Sequence, residues 1–77
     1  MAIFKFRARN SETGKPIKAK ITLAGTVRGY TPEVKDQWLL TETSSAEKFA
    51  WSAHYNGNKI DSGTSKGGEI EVLYTPS

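Results

Sequence analysis

Basic side chains recur at every second position in two short stretches of this chain: Lys5, Arg7 and Arg9 within IFKFRAR, and Lys18 and Lys20 within PIKAKITL. In an extended strand that spacing sends them all to one side. Ammonium and guanidinium groups held together on a surface suit an acidic partner, either a protein face or a nucleic-acid backbone. The charge is also polarised along the chain. Residues 1–35 hold eight Lys or Arg and two Glu, residues 36–77 hold three Lys and six Asp or Glu, and the net charge is +3. Tyr30, inside the Gly- and Pro-interrupted segment GTVRGYTPEVKD, adds an aromatic ring to the candidate binding set. A plainer reading stands beside this one: sheet faces are charged for solubility, and edge lysines discourage pairing between molecules.

Other chemistry finds little support. His54 is the only histidine, and alternation turns it away from Trp51 and Tyr55. A triad would need a nucleophile and an orienting carboxylate converging on it, whereas Ser52, Ser62, Ser65 and Asp61 are ordinary polar and turn residues. Thr13-Gly14-Lys15-Pro16 is not a phosphate-binding loop, which needs a longer glycine frame running into a helix. There is no cysteine for a disulfide or a zinc site. Asn10 with Glu12, or Asp61 with Glu69, offers at most part of a weak calcium site that turn chemistry explains more simply. No catalytic residue, cofactor or metal is therefore expected. Trp38, Trp51, Tyr30 and Tyr55 suggest an aromatic platform, but a chain of 77 residues hides only roughly 60% of its unfolded surface and needs most of its large aromatics for the core.

These residues must be positioned by strands. Phe4, Phe6 and Ala8 alternate with the first basic set, and Ile17, Ala19, Ile21 and Leu23 with Lys18, Lys20 and Thr22. Between the two runs, Gly14 and Pro16 read as a turn. If these strands pair as a hairpin, Lys5, Arg7, Arg9, Lys18 and Lys20 share one face, with Glu69 and Glu71 available to offset it. Reversing Arg7 and Lys20 together would then weaken docking and leave unfolding nearly unchanged. GTVRGYTPEVKD reads as loop or short edge strand, and QWLLTET as a strand. In SSAEKFAWSAHY, Ser44 or Ser45 with Glu47 or Lys48 could open a helix, but Phe49, Trp51, Ala53 and Tyr55 alternate on one side and read as a strand, followed by an Asn56-Gly57 hairpin turn. DSGTSKGG reads as a loop, and EIEVLYTP as a last strand with Ile70, Val72 and Tyr74 inward. The pattern predicts a single all-β domain over residues 1–77, a small seven-stranded antiparallel β-sandwich of Ig-like or prealbumin-like type.

The order of features resembles the carboxypeptidase regulatory-like domains, whose fold is the transthyretin (prealbumin-like) sandwich. The likeness is carried by NSETGKPIKAKITL, which resembles that family's turn and following strand, and by FAWSAHYNGNKIDSG and KGGEIEVLYTP toward the end. VKDQWLLTETSS departs from the family pattern and leaves the order of the central strands open. The family carries no catalytic residues of its own, so the resemblance implies none here.

MAIFKFRARN intersperses charge among its apolar residues, unlike a signal peptide, and no segment approaches membrane-spanning length. A chain made in the cytoplasm is expected. The function that follows is a non-enzymatic structural or binding module on the acidic protein surface of a larger assembly, with an accessory, decoration-type virion protein as the favoured setting. Lys5, Arg7, Arg9, Lys18, Lys20 and Tyr30 are its candidate contacts. One alternative is a spacer or adhesive module cut from a larger surface or secreted protein, which would be extracellular. Another is weak single-stranded nucleic-acid binding, for which the three arginines, Arg7, Arg9 and Arg28, are thin provision. No membrane partner is expected, and the oligomeric state is open.

Overall fold

A computed structural model describes residues 1–76. Phe4, Phe6 and Ala8 are buried along β1 (Ala2–Asn10), and Lys5, Arg7 and Arg9 turn outward between them, as the alternation predicts. β1 is the central strand of a three-stranded sheet, with β4 (Leu39–Thr43) on one side and β7 (Gly68–Tyr74) on the other. A second sheet has the order β3-β2-β5-β6, formed by β3 (Thr26–Tyr30), β2 (Lys20–Leu23), β5 (Phe49–Tyr55) and β6 (Asn58–Ser65). The two sheets pack as a β-sandwich. Phe4, Phe6, Ala8 and Val72 from the first meet Ile21, Leu23 and Ala53 from the second, with Ile17 and Ala19 completing the buried core. Trp51 sets its ring edge-on against Phe6, with centroids 5.8 Å apart.

The pairing corrects three expectations. β1 and β2 do not form a hairpin: they lie in different sheets. Among the described residues a single isolated bridge, Arg9 to Pro16, lies near the turn, because the chain uses residues 16–19 to cross from one sheet to the other. β2 accordingly begins at Lys20, although Ile17 and Ala19 still point into the core. Second, DSGTS is strand and not loop. Gly63 pairs with Trp51 across β5 and β6, and a Cβ at Gly63 would stand 3.2 Å from the indole. Glycine here makes room for an aromatic ring within a strand. Third, β1 and β7 run parallel, over seven register pairs from Phe4↔Gly68 to Asn10↔Tyr74, so the sandwich is antiparallel except at this pair.

Two hairpin turns of the second sheet have two-residue loops with both central residues at positive φ. Asn56 and Gly57 (52° and 79°) join β5 to β6, and Ala24 and Gly25 (54° and 78°) join β2 to β3. This is the turn whose twist matches that of the strands. Asn-Gly announces it, whereas alanine disguises it.

The inter-sheet crossing leaves backbone groups without a ladder, and Thr31 supplies what is missing. Its side-chain hydroxyl donates to the carbonyl of Ile17 at 2.7 Å and accepts from the amide of Ala19 at 2.9 Å, while its own amide donates to the Ala19 carbonyl at 2.9 Å. Thr31 is 1% exposed. Thr31→Val keeps the shape but orphans both buried backbone groups, and should cost about 2–4 kcal/mol in urea unfolding. Thr31→Ser keeps the hydroxyl and should cost about 1 kcal/mol for the lost methyl. Ala24 is exposed and strained by its left-handed backbone, so Ala24→Asn should raise stability by about 0.5–1 kcal/mol, read from the same unfolding curves.

Candidate functional site

The six candidate contacts divide between two opposite faces of the sandwich. Lys5, Arg7 and Arg9 project from β1 on the outer face of the first sheet. Lys18 and Lys20, leading into and opening β2, and Tyr30, closing β3, project from the outer face of the second. The shared basic face expected of a β1–β2 hairpin does not exist, because the core separates the two sets. Reversing Arg7 and Lys20 together would therefore strike two unrelated surfaces.

The first set is neutralised at its centre. In the β1–β7 register Arg7 stands opposite Glu71. Its Nε donates to the Glu71 carboxylate at 2.7 Å, and Arg9 Nε donates to the other carboxylate oxygen at 3.2 Å. Arg7 Nη1 also lies 3.8 Å from Asp36 Oδ1, and the guanidinium sits 4.3 Å from the centre of the Trp38 ring. One arginine is thus held by two carboxylates and an aromatic face. Burial pushes the Glu71 carboxyl up, but hydrogen bonds and Coulomb attraction from Arg7 and Arg9 together outweigh it, and the group lies below its ordinary range. Trp38 is covered by the Arg7 contact and is not an open platform.

The second set is gathered. The register places Tyr30, Lys20 and His54 in one row across β3, β2 and β5. Lys18 lies two residues before Lys20 on the same side, and its ammonium is 5.1 Å from the centre of the Tyr30 ring. With Tyr55 and the Asn56-Gly57 turn these residues line a recess of about 240 Å³. Among the described residues no carboxylate lines it, and neither lysine makes an ion pair. His54 lines it too, and among the described residues its Nδ1 is buried without a hydrogen-bond partner. Tyr30 is 52% exposed, so its ring is open to a second planar or cationic group. The recess offers two ammonium groups, an imidazole and a ring face, a donor set suited to carboxylate or phosphate oxygens.

Charge and loop context in the sequence point to Lys18, Lys20 and Tyr30 but not to His54, Tyr55, Asn56 and Gly57, which join them only through the pairing of β2 with β5. The alternation did put His54 on the outer side, where it is. The pairs weighed for calcium serve turns or lie apart. Asn10 Oδ1 accepts from the amides of Glu12 and Thr13 at 2.8 and 3.2 Å, Asp61 Oδ1 accepts from the Ser62 amide at 2.8 Å, and Asp61 and Glu69 belong to different sheets. Trp51 packs on Phe6, and Tyr55 packs edge-on to Tyr74 with centroids 4.8 Å apart.

Comparisons with protein-family models, with curated proteins and with solved structures find no match.

Because the Glu71 carboxyl titrates lower in the folded than in the unfolded chain, its stabilising contribution is present above the ordinary carboxylate pKa and is lost as pH falls through the folded value. Its side chain is about a third exposed, so Glu71→Gln should cost no more than about 1 kcal/mol at neutral pH. The gap between variant and parent in chemical unfolding should close as pH falls below about 4.

Proposed function

We propose that this domain is a non-enzymatic binding module that docks on an acidic protein surface of a larger assembly through the recess of Lys18, Lys20, Tyr30 and His54. The observation that carries the reading is a contrast. On one face Arg7 and Arg9 are held by Glu71, with Asp36 beside Arg7, while on the other, among the described residues, two lysines without ion pairs share a recess that no carboxylate lines. Unpaired cations concentrated in one place speed encounter with an oppositely charged surface and fix its register.

The resemblance to carboxypeptidase regulatory-like domains supports a module without chemistry of its own and a place in the prealbumin-like class. An accessory, decoration-type protein of a virus capsid is the setting we favour by analogy of shape: a small sandwich with one charged docking face. A nucleic-acid ligand is less well provided for. Stacking successive bases needs several open rings, whereas Trp38 lies under Arg7, and Trp51 and Tyr55 pack against Phe6 and Tyr74.

Amide chemical shifts should be followed while an Asp/Glu octapeptide or oligothymidylate is added. The peptide should move resonances of Lys18, Lys20, Tyr30 and His54 in a salt-sensitive manner. Lys18→Glu with Lys20→Glu should weaken binding at least about tenfold, roughly 1.4 kcal/mol, and change unfolding by no more than about 0.5 kcal/mol. Shifts confined to Lys5, Arg7 and Arg9, or a response to the oligonucleotide and not the peptide, would contradict the proposal.

A further inference from the structure

The outer face of the first sheet carries an arrangement unrelated to the recess. Ile3 and Leu40 are among the most exposed large apolar residues, at 55% and 63%. They border a shallow hollow of about 230 Å³ with Thr41 and Glu42. The antiparallel register of β1 and β4 sets Ile3 opposite Glu42 and Lys5 opposite Leu40. The four outward side chains therefore form a two-by-two checkerboard, with the apolar pair on one diagonal and the opposite charges on the other. Among the described residues neither Lys5 nor Glu42 makes an ion pair within the chain, although Lys5 stands across from Glu69 in the β1–β7 register.

From this geometry we infer that the face is an isologous interface with a second copy of the same chain. Consider two copies laid face to face about a two-fold axis lying in the plane of the contact. An axis along the Ile3–Leu40 diagonal places Ile3 on Ile3 and Leu40 on Leu40, and sets each Lys5 over the other copy's Glu42. An axis along the Lys5–Glu42 diagonal puts like charge on like charge. An axis parallel or perpendicular to the strands lays apolar side chains on charged ones. Only the apolar diagonal matches every element of the checkerboard, and it supplies both Lys5 and Glu42 with the counter-ion they lack. With alternate residues about 6.7 Å apart along a strand and neighbouring strands about 4.8 Å apart, that diagonal makes the strands of the two copies cross at about 70°, near the orthogonal class of sheet packing.

The contact is small. A three-stranded face offers no more than about 400 Å² per copy, roughly half of a standard interface. The dimer is weak and forms at high protein concentration. It leaves the Lys18–Lys20 recess of each copy on the side away from the contact, so the inference does not depend on what that recess binds.

Sedimentation equilibrium over protein concentrations from about 20 μM to about 1 mM spans the regime of so small an interface. The average mass should rise from 8.5 kDa toward twice that value. Lys5→Glu alone and Glu42→Lys alone should each abolish the rise, since each homodimer would hold two repulsive pairs. An equimolar mixture of these two variants should restore it, because every pair across the mixed dimer is then opposite in sign. The double variant Lys5→Glu with Glu42→Lys should self-associate like the parent. A parent that stays monomeric throughout, single variants that still dimerise, or a mixture that fails to recover would each overturn the inference. Circular dichroism checks the variants' folding. Should they be unfolded, dilution of the parent followed by amide shifts decides: changes centred on Ile3, Lys5, Leu40 and Glu42 support the interface, and changes elsewhere refute it.

Discussion

The whole arrangement depends on covering Phe4 and Phe6. Both rings project inward from the central strand of the smaller sheet and are fully buried. A lone three-stranded sheet would leave them in water, and burying one such side chain contributes about 1.5–3 kcal/mol. The second sheet exists, energetically, to close over them. Ile21 and Leu23 on β2 and Ala53 on β5 lie beneath, Trp51 closes one flank edge-on, and Val72 arrives from β7. Other local solutions follow from this one. Gly63 gives way so that Trp51 can lie flat over β6, and Thr31 binds the backbone that must travel from one sheet to the other. At the far flank Arg28, the extra residue at the irregularity between β2 and β3, reaches Thr41 and the carbonyl of Glu42 on β4 and ties the two sheet edges.

The same constraint decides what the basic residues become. Lys5, Arg7 and Arg9 face outward because the phenylalanines face inward, and the parallel neighbour β7 presents Glu71 to two of them. Lys18 and Lys20 face outward because Ile17, Ala19 and Ile21 do not, but opposite Lys20 the neighbours of β2 carry Tyr30 and His54, neither of them acidic. Identical alternation thus produces a neutralised surface on one side and a charged recess on the other. The difference lies entirely in which strand is adjacent.

That is also where the sequence stops being legible. Inward and outward assignment could be read at Phe4, Phe6, Ile21, Leu23, Ala53 and Val72, because period-two alternation is a property of a strand by itself. The Asn56-Gly57 turn was legible for a similar reason: both residues tolerate positive φ. Pairing is a property of two strands, and proximity in sequence misled for β1 and β2. The intervening Thr-Gly-Lys-Pro has the composition of a hairpin turn, yet Asn10 and Thr13 use it as a local loop, their side chains bonding the backbone of residues 12, 13 and 15. The glycine and hydroxyl residues of DSGTS looked like loop because their composition says nothing of the indole across from Gly63. Ala24 hid a turn because alanine seldom adopts that backbone. The recess is half legible for the same reason as the pairing: charge and loop context point to its β2 and β3 members, and its β5 members need the register.

The parallel pairing of β1 with β7 has a mechanical consequence. The two strands lie side by side along seven register pairs and point the same way, so residue 2 and residue 74 sit toward opposite poles of a body 36 Å long. A pull applied near these two positions runs along the strands and loads the inter-strand hydrogen bonds together in shear. It cannot peel them one after another, as it would in a hairpin opened from its end. Rupture then requires most of the β1–β7 ladder to fail at once, with the Arg7–Glu71 and Arg9–Glu71 contacts spanning the same seam. A domain of this size can therefore transmit tension along its long axis while its remaining strands stay unloaded.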